Sequence, residues 1–122
     1  MPSTFRLKRV YEPADAGDGT RVLVDRLWPR GIARERARID LWLKDIAPSD
    51  ALRKRFHARP EDWPNFLAAY AAELKAPAAQ AAAKELLGLL RRGPVTLLYA
   101  ARDERRNNAL ALKALLARRR RS

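Results

Sequence analysis

Arg21-Val22-Leu23-Val24-Asp25-Arg26-Leu27 and Val95-Thr96-Leu97-Leu98-Tyr99-Ala100 are the stretches on which the fold turns. Each is a short aliphatic and β-branched run, apolar at successive rather than alternate positions. That pattern marks a strand covered on both faces, as in a parallel sheet flanked by other layers. Phe5-Arg6-Leu7-Lys8-Arg9-Val10-Tyr11 alternates apolar and polar residues instead, the period of a half-buried strand. The next residues, Glu12 to Thr20, contain Pro13, Gly17 and Gly19 and form a surface loop.

Between the strands the chain reads as helical. Pro48-Ser49 caps a helix from Asp50 to His57, and Asp50 complements its dipole. A second helix starts near Pro60-Glu61-Asp62 and buries Trp63, Phe66, Leu67, Tyr70 and Leu74. A third runs from about Ala78 to Arg92 and stops at Gly93-Pro94, and a last one opens at Asp103-Glu104. Ile39 to Ile46 fits helical spacing and alternation equally well. Strands at both ends of a helical middle predict a three-layer parallel sheet with right-handed crossovers.

A chain of 122 residues has the size of one domain, so residues 1–122 are expected to form a single unit. Its longest apolar run, Val95 to Ala101, is far shorter than the roughly 20 residues of a membrane span, and the N-terminus has no signal-peptide core. The expectation is a soluble, cytoplasmic protein with no membrane partner. There is no cysteine, which excludes disulfides, thiolate metal sites and a Cys nucleophile. The formal charge of +12 raises nucleic acid as a partner. Arg118-Arg119-Arg120-Arg121 carries four of those charges, however, in residues 118–122, which read as a disordered basic tail. Arg outnumbers Lys 20 to 6 and Ala occurs 23 times, a bias that genome composition alone can produce.

In parallel α/β sheets ligands bind beyond the carboxyl ends of the strands, so residues just after each strand are the site candidates. Asp25-Arg26-Leu27-Trp28-Pro29-Arg30-Gly31 offers a carboxylate, two guanidinium forks, an indole and a glycine that frees the backbone. Tyr99-Ala100-Ala101-Arg102-Asp103-Glu104-Arg105-Arg106-Asn107 leads a buried strand into a helix start. Lys44-Asp45-Ile46-Ala47-Pro48-Ser49, with Arg53 one turn on, is the third group. Arg26, Arg30, Lys44 and Arg53 are cations suited to a phosphate or carboxylate, and Asp25 and Asp103 are the acid/base candidates. Trp28, Gly31, Asp45, Ser49, Tyr99, Arg102 and Asn107 complete the expected ligand-binding set. Ser49 also reads as a helix cap, Arg26 with Asp103 or Lys44 with Asp45 as plain ion pairs, and the lone His57 as a helix-end residue. No P-loop, dinucleotide fingerprint or hydrolase elbow is present, and neither metal nor cofactor is expected.

Leu7-Lys8-Arg9-Val10-Tyr11, Val22-Leu23-Val24-Asp25-Arg26-Leu27-Trp28-Pro29-Arg30-Gly31, Trp42-Leu43-Lys44-Asp45, Ala47-Pro48-Ser49 and Leu97-Leu98-Tyr99-Ala100-Ala101-Arg102-Asp103 together resemble the YeaO-like family, a bacterial branch of the domain-of-unknown-function 488 group. The likeness runs from residue 5 to about residue 116. It implies a Rossmann-like domain and tips residues 39–45 toward a strand. The expected fold is then a single three-layer Rossmann-like α/β domain with a small, mostly parallel sheet, its strands near 5–11, 21–27, 39–45 and 94–100, flanked by helices. In the wider group the segment after the last strand often carries Cys and His. Here it carries Asn107 and Asn108, which removes thiol and imidazole chemistry from that place.

These features predict an enzyme-like domain that binds a small anionic ligand, phosphate-bearing or nucleotide-like, in a polar cleft where Arg26, Arg30, Lys44, Asp45, Tyr99 and Asp103 meet. The alternatives are a non-catalytic nucleic-acid-binding module that uses the basic surface, and a protein-interaction scaffold with an exposed apolar patch.

Overall fold

A computed structural model describes residues 4–121. Among them, β1 (Arg6–Arg9), β2 (Thr20–Leu23), β3 (Leu41–Trp42) and β4 (Val95–Tyr99) form one all-parallel sheet in the order β1-β4-β2-β3. β4 pairs with β1 on one side and β2 on the other, which sets Leu97 between Leu7 and Val22. Every residue of β4 is buried, and Val22 and Leu23 of β2 have no exposed surface. The continuous apolar runs in these two strands thus mark the centre of the sheet, as their composition requires.

Helices α1 (Arg34–Ala37), α2 (Asp50–Ala58), α3 (Trp63–Glu73), α4 (Pro77–Arg92) and α5 (Asn108–Arg121) complete the α/β domain. Its two outer layers are unequal. Val22, Val24, Val95, Leu97 and Tyr99 face a large core supplied by α2 to α5. Leu23 and Leu98, the alternate residues, face a small cluster closed by Trp28, Ile32, Ile39 and Trp42 from the segment around α1. The two layers follow from the strand order, because the chain steps outward from β2 to β3 and then returns across β2 to reach β4.

Several boundaries differ from the sequence expectation. The strand expected over 39–45 shrinks to Leu41–Trp42, because Lys44–Ile46 turns in a 3-10 conformation that buries Ile46 and lets the Tyr70 hydroxyl donate to its carbonyl oxygen at 2.5 Å. Asp103 does not open the last helix. Its Oδ1 accepts from the amides of Arg105 and Arg106 in a local turn, and α5 starts at Asn108 with Asn107 Oδ1 accepting from the Leu110 amide. α5 runs to Arg121, and Ser122, the last residue of the expected 118–122 tail, lies outside the described residues. No helix among the described residues is long and apolar enough to cross a membrane.

At the amino end of the sheet, Gly19 adopts φ +64°, and a Cβ there would collide with the Pro94 carbonyl that accepts the Thr20 amide. Beside it the buried Asp18 carboxylate accepts from Arg21 Nη1 at 2.5 Å and from Lys8 Nζ at 3.1 Å, while its carbonyl accepts from Thr96 Oγ1. Arg21 also donates to the carbonyls of Ala37 and Arg38. Burial alone would raise the Asp18 carboxyl, yet the hydrogen bonds from Lys8, the Asp15 amide and Arg21 outweigh it and hold the group below its ordinary value. The stabilisation is therefore complete above the ordinary carboxylate range and lost as pH falls through the lower, folded value. Asp18→Asn is expected to cost roughly 3 kcal/mol at pH 7, since it leaves a buried guanidinium uncompensated. Urea unfolding at pH 7 and pH 3 checks this: the gap between wild type and variant narrows in acid.

Candidate functional site

The carboxyl ends of β2 and β4 lie side by side, and the chain leaves β2 toward one face and β4 toward the other. Such a divergence opens a crevice. Asp25, two residues past β2, closes its floor: Oδ2 accepts from the Ala100 amide at 2.9 Å and Oδ1 from Asn108 Nδ2 at 2.9 Å. Asn108 Nδ2 also donates to the Val24 carbonyl, and Trp42 Nε1 donates to the Asp25 carbonyl at 2.7 Å. One carboxylate therefore ties β2, β4 and the first residue of α5 together. Burial pushes the Asp25 carboxyl up from its ordinary value, against the hydrogen bonds from Asn108 and Ala100 and the nearby Arg53 charge.

Above this floor is a cavity of about 340 Å³. Asp25, Arg26, Trp28, Arg30, Arg53 and Asn107 from the sequence reading all line it. Most of their polar atoms are already engaged. Arg26 donates Nε to the Pro48 carbonyl and Nη2 to that of Ala47, fastening its loop to the start of α2. Trp28 Nε1 donates to the Ile32 carbonyl at 2.7 Å across the turn in which Gly31 takes φ +78°. Asn107 Nδ2 donates to the Asp103 carbonyl. Arg30 is exposed, and its carbonyl accepts from the Tyr11 hydroxyl at 3.0 Å. Arg53 differs: its Nε is shielded from solvent and has no hydrogen-bond partner, while Nη2 reaches Asp50 at 3.4 Å.

The other sequence-selected residues do not meet there. Lys44 lies 4.1 Å from the centre of the Trp42 ring and does not line the cavity. Asp45 is exposed in the 3-10 turn. Ser49 caps α2, accepting from the Leu52 amide, and its Oγ donates to Glu73 at 2.5 Å. Tyr99 is buried within β4, and Gly31, Arg102 and Asp103 are exposed outside the cavity. The backbone amides of Arg105 and Arg106 hold the Asp103 carboxyl below its ordinary value, which suits a turn cap rather than a proton donor. The single concavity expected for Arg26, Arg30, Lys44, Asp45, Tyr99 and Asp103 thus gathers only the first two. Among the described residues no three acidic or histidine side chains converge as a metal site requires.

Sequence reasoning missed Tyr11, Leu27, Phe56, His57, Phe66 and Asn108, which also line the cavity. The strand-end rule that selects Asp25 selects Tyr11 too, since Tyr11 closes the first alternating run. Phe56 and His57 had no such signal, because α2 reaches the cavity through its packing on α3.

Residues 4–122 match the family model described as the inactive DUF488-N3 subclade. The uncharacterised protein YeaO of Escherichia coli K12 is 46% identical over 108 residues, covering 88% of this chain and 92% of that protein. An uncharacterised protein of Mycobacterium tuberculosis H37Rv is 44% identical over 111 residues, covering 91% of this chain and 92% of its own length. No solved structure matches the chain.

Because Asn108 supplies a donor to Asp25, Asn108→Ala is expected to raise the Asp25 carboxyl further and to destabilise the fold by about 1–3 kcal/mol at pH 7. A raised carboxyl contributes stability that is present in acid and lost as pH rises through its folded value. The penalty is therefore larger at pH 7 than at pH 4. A carbon-detected NMR titration of Asp25, with denaturation at both pH values, measures both effects.

Proposed function

The chain belongs to the inactive DUF488-N3 subclade, and from that premise we propose that it is a non-catalytic binder of a small anionic ligand, held by Arg53 in the cavity at the carboxyl ends of β2 and β4. The observation that carries this reading is the Arg53 Nε–H, shielded from solvent and without an acceptor, on a partly exposed side chain that lines the cavity. A shielded donor with no partner costs about a kcal/mol or more, and a turn of the Arg53 side chain that let it meet an anionic atom in the cavity would relieve that cost. A cavity of about 340 Å³ is of small-molecule size.

Three features favour binding without turnover. Asp25 has both carboxyl oxygens engaged by Ala100 and Asn108, so it serves as a clamp between secondary-structure elements. Asp103 is spent on its own turn. Where the wider group often carries Cys and His, Asn107 caps α5 and Asn108 braces Asp25, which leaves two amides in structural work. The second reading, a nucleic-acid-binding module, rests on the formal charge of +12 and the exposed arginines.

Thermal unfolding at constant ionic strength separates the two. At least one of formate, acetate, benzoate and inorganic phosphate is expected to stabilise the wild-type protein, by about 2.7 kcal/mol at a hundredfold excess over its Kd, and none to stabilise Arg53→Gln. Equal shifts in both proteins, or none in either, contradict the reading. Tight duplex-DNA binding with a steep salt slope, weakened by deleting residues 118–122 and indifferent to Arg53→Gln, would favour the nucleic-acid alternative.

A further inference from the structure

Resting on the anion-binding reading, we infer that the ligand is an amphipathic monoanion, a carboxylate carried on an aromatic or aliphatic body, rather than a phosphate or a nucleotide. The argument begins with what the cavity has left to offer. Of the cations lining it, Arg26 is committed to two backbone carbonyls, and Arg30 stands at the mouth with its guanidinium hydrated, where an anion gains least. Lys44, which the sequence reading grouped with them, stands over Trp42 and does not line the cavity. The shielded, unsatisfied donor is Arg53 Nε alone among the described residues. A phosphate dianion has three strongly accepting oxygens and two charges to balance, and it would sit close to the Asp25 carboxylate. One guanidinium edge suits a single planar carboxylate better.

Beside these polar groups the cavity has an apolar wall. Phe56 and Phe66 stack at 4.4 Å between ring centres on one side, and Pro29 and Pro48 are buried. The mouth gives an independent observation. Among the described residues the large apolar side chains left exposed are Leu27, at 58%, and Tyr11, at 44%, and both border this cavity. Exposed apolar groups confined to the rim of one cavity mark a surface that a ligand covers. A phosphate or a ribose would gain nothing from them, whereas a phenyl ring or short alkyl chain would bury them.

Isothermal titration with phenylacetate, benzoate, acetate, inorganic phosphate and adenosine monophosphate tests the inference. Phenylacetate or benzoate is expected to bind roughly tenfold or more tightly than acetate, as burial of several carbon atoms requires, and more tightly than phosphate or the nucleotide. Leu27→Ser alters an exposed side chain and leaves the core intact. It is expected to lower the affinity for the aromatic acids severalfold while leaving acetate unchanged. Arg53→Lys keeps the charge but removes Nε, and is expected to weaken every carboxylate. Tighter binding of phosphate or the nucleotide overturns the ligand class while the anion site stands. Binding of phenylacetate that is unchanged in both Arg53→Lys and Arg53→Gln overturns the anchoring role. If no probe binds, both this inference and the reading beneath it fall.

Discussion

The parallel pairing of β2 with β4 is the constraint on which the rest of the structure depends. Both strands are covered on both faces, so neither tolerates a polar side chain at its centre except where a partner is built in. Polar groups are therefore driven to the two ends of the pair. At the amino end they collapse into the Asp18, Arg21, Lys8 and Thr96 network, in which the carboxylate is matched by cations. At the carboxyl end Asp25 is matched by neutral donors, the Ala100 amide and Asn108, with Arg53 as the nearby charge. The same residue type thus behaves oppositely at the two ends, held low where cations surround it and pushed up where burial dominates.

This division sets how much of the molecule is legible in its sequence. The two central strands are legible because a short aliphatic and β-branched run without polar alternation fits a strand covered on both faces, and the strand-end rule then leads to Asp25, Arg26, Trp28, Arg30 and Asn107. Arg53 is legible from its place one turn into α2. Which of these polar atoms remains free is not legible, because that depends on backbone carbonyls far away in sequence. Arg26 spans 22 residues to reach Pro48, a contact that no local pattern encodes. Asp103 reads as a helix opener because acidic residues favour first turns, but a local turn closes on it sooner. Lys44 and Asp45 follow a strand in sequence, yet that strand lies at the sheet edge and its end does not face the crevice.

The pair Asn107 and Asn108 links the fold to the family. Side-chain amides at the start of α5 bind it to β2, through Asn108, and to the preceding turn, through Asn107. Neither is a nucleophile or a base at neutral pH. A family described as inactive and a chain whose strand-end polar groups are occupied in holding the sheet together are mutually consistent. The crevice itself remains, with one shielded guanidinium donor left unpartnered among the described residues and with Leu27 and Tyr11 exposed at its rim.

The most direct measurement of that account is the side-chain Nε–H resonance of Arg53 in a nitrogen-15 NMR spectrum, followed as phenylacetate is added. Saturable movement of that resonance, together with the amides of Ala101 and Asn108, is the predicted result. An Arg53 signal that stays fixed while signals from Arg102, Arg105 and Arg106 drift without saturation would contradict it, because the anion would then be meeting only the exposed basic surface.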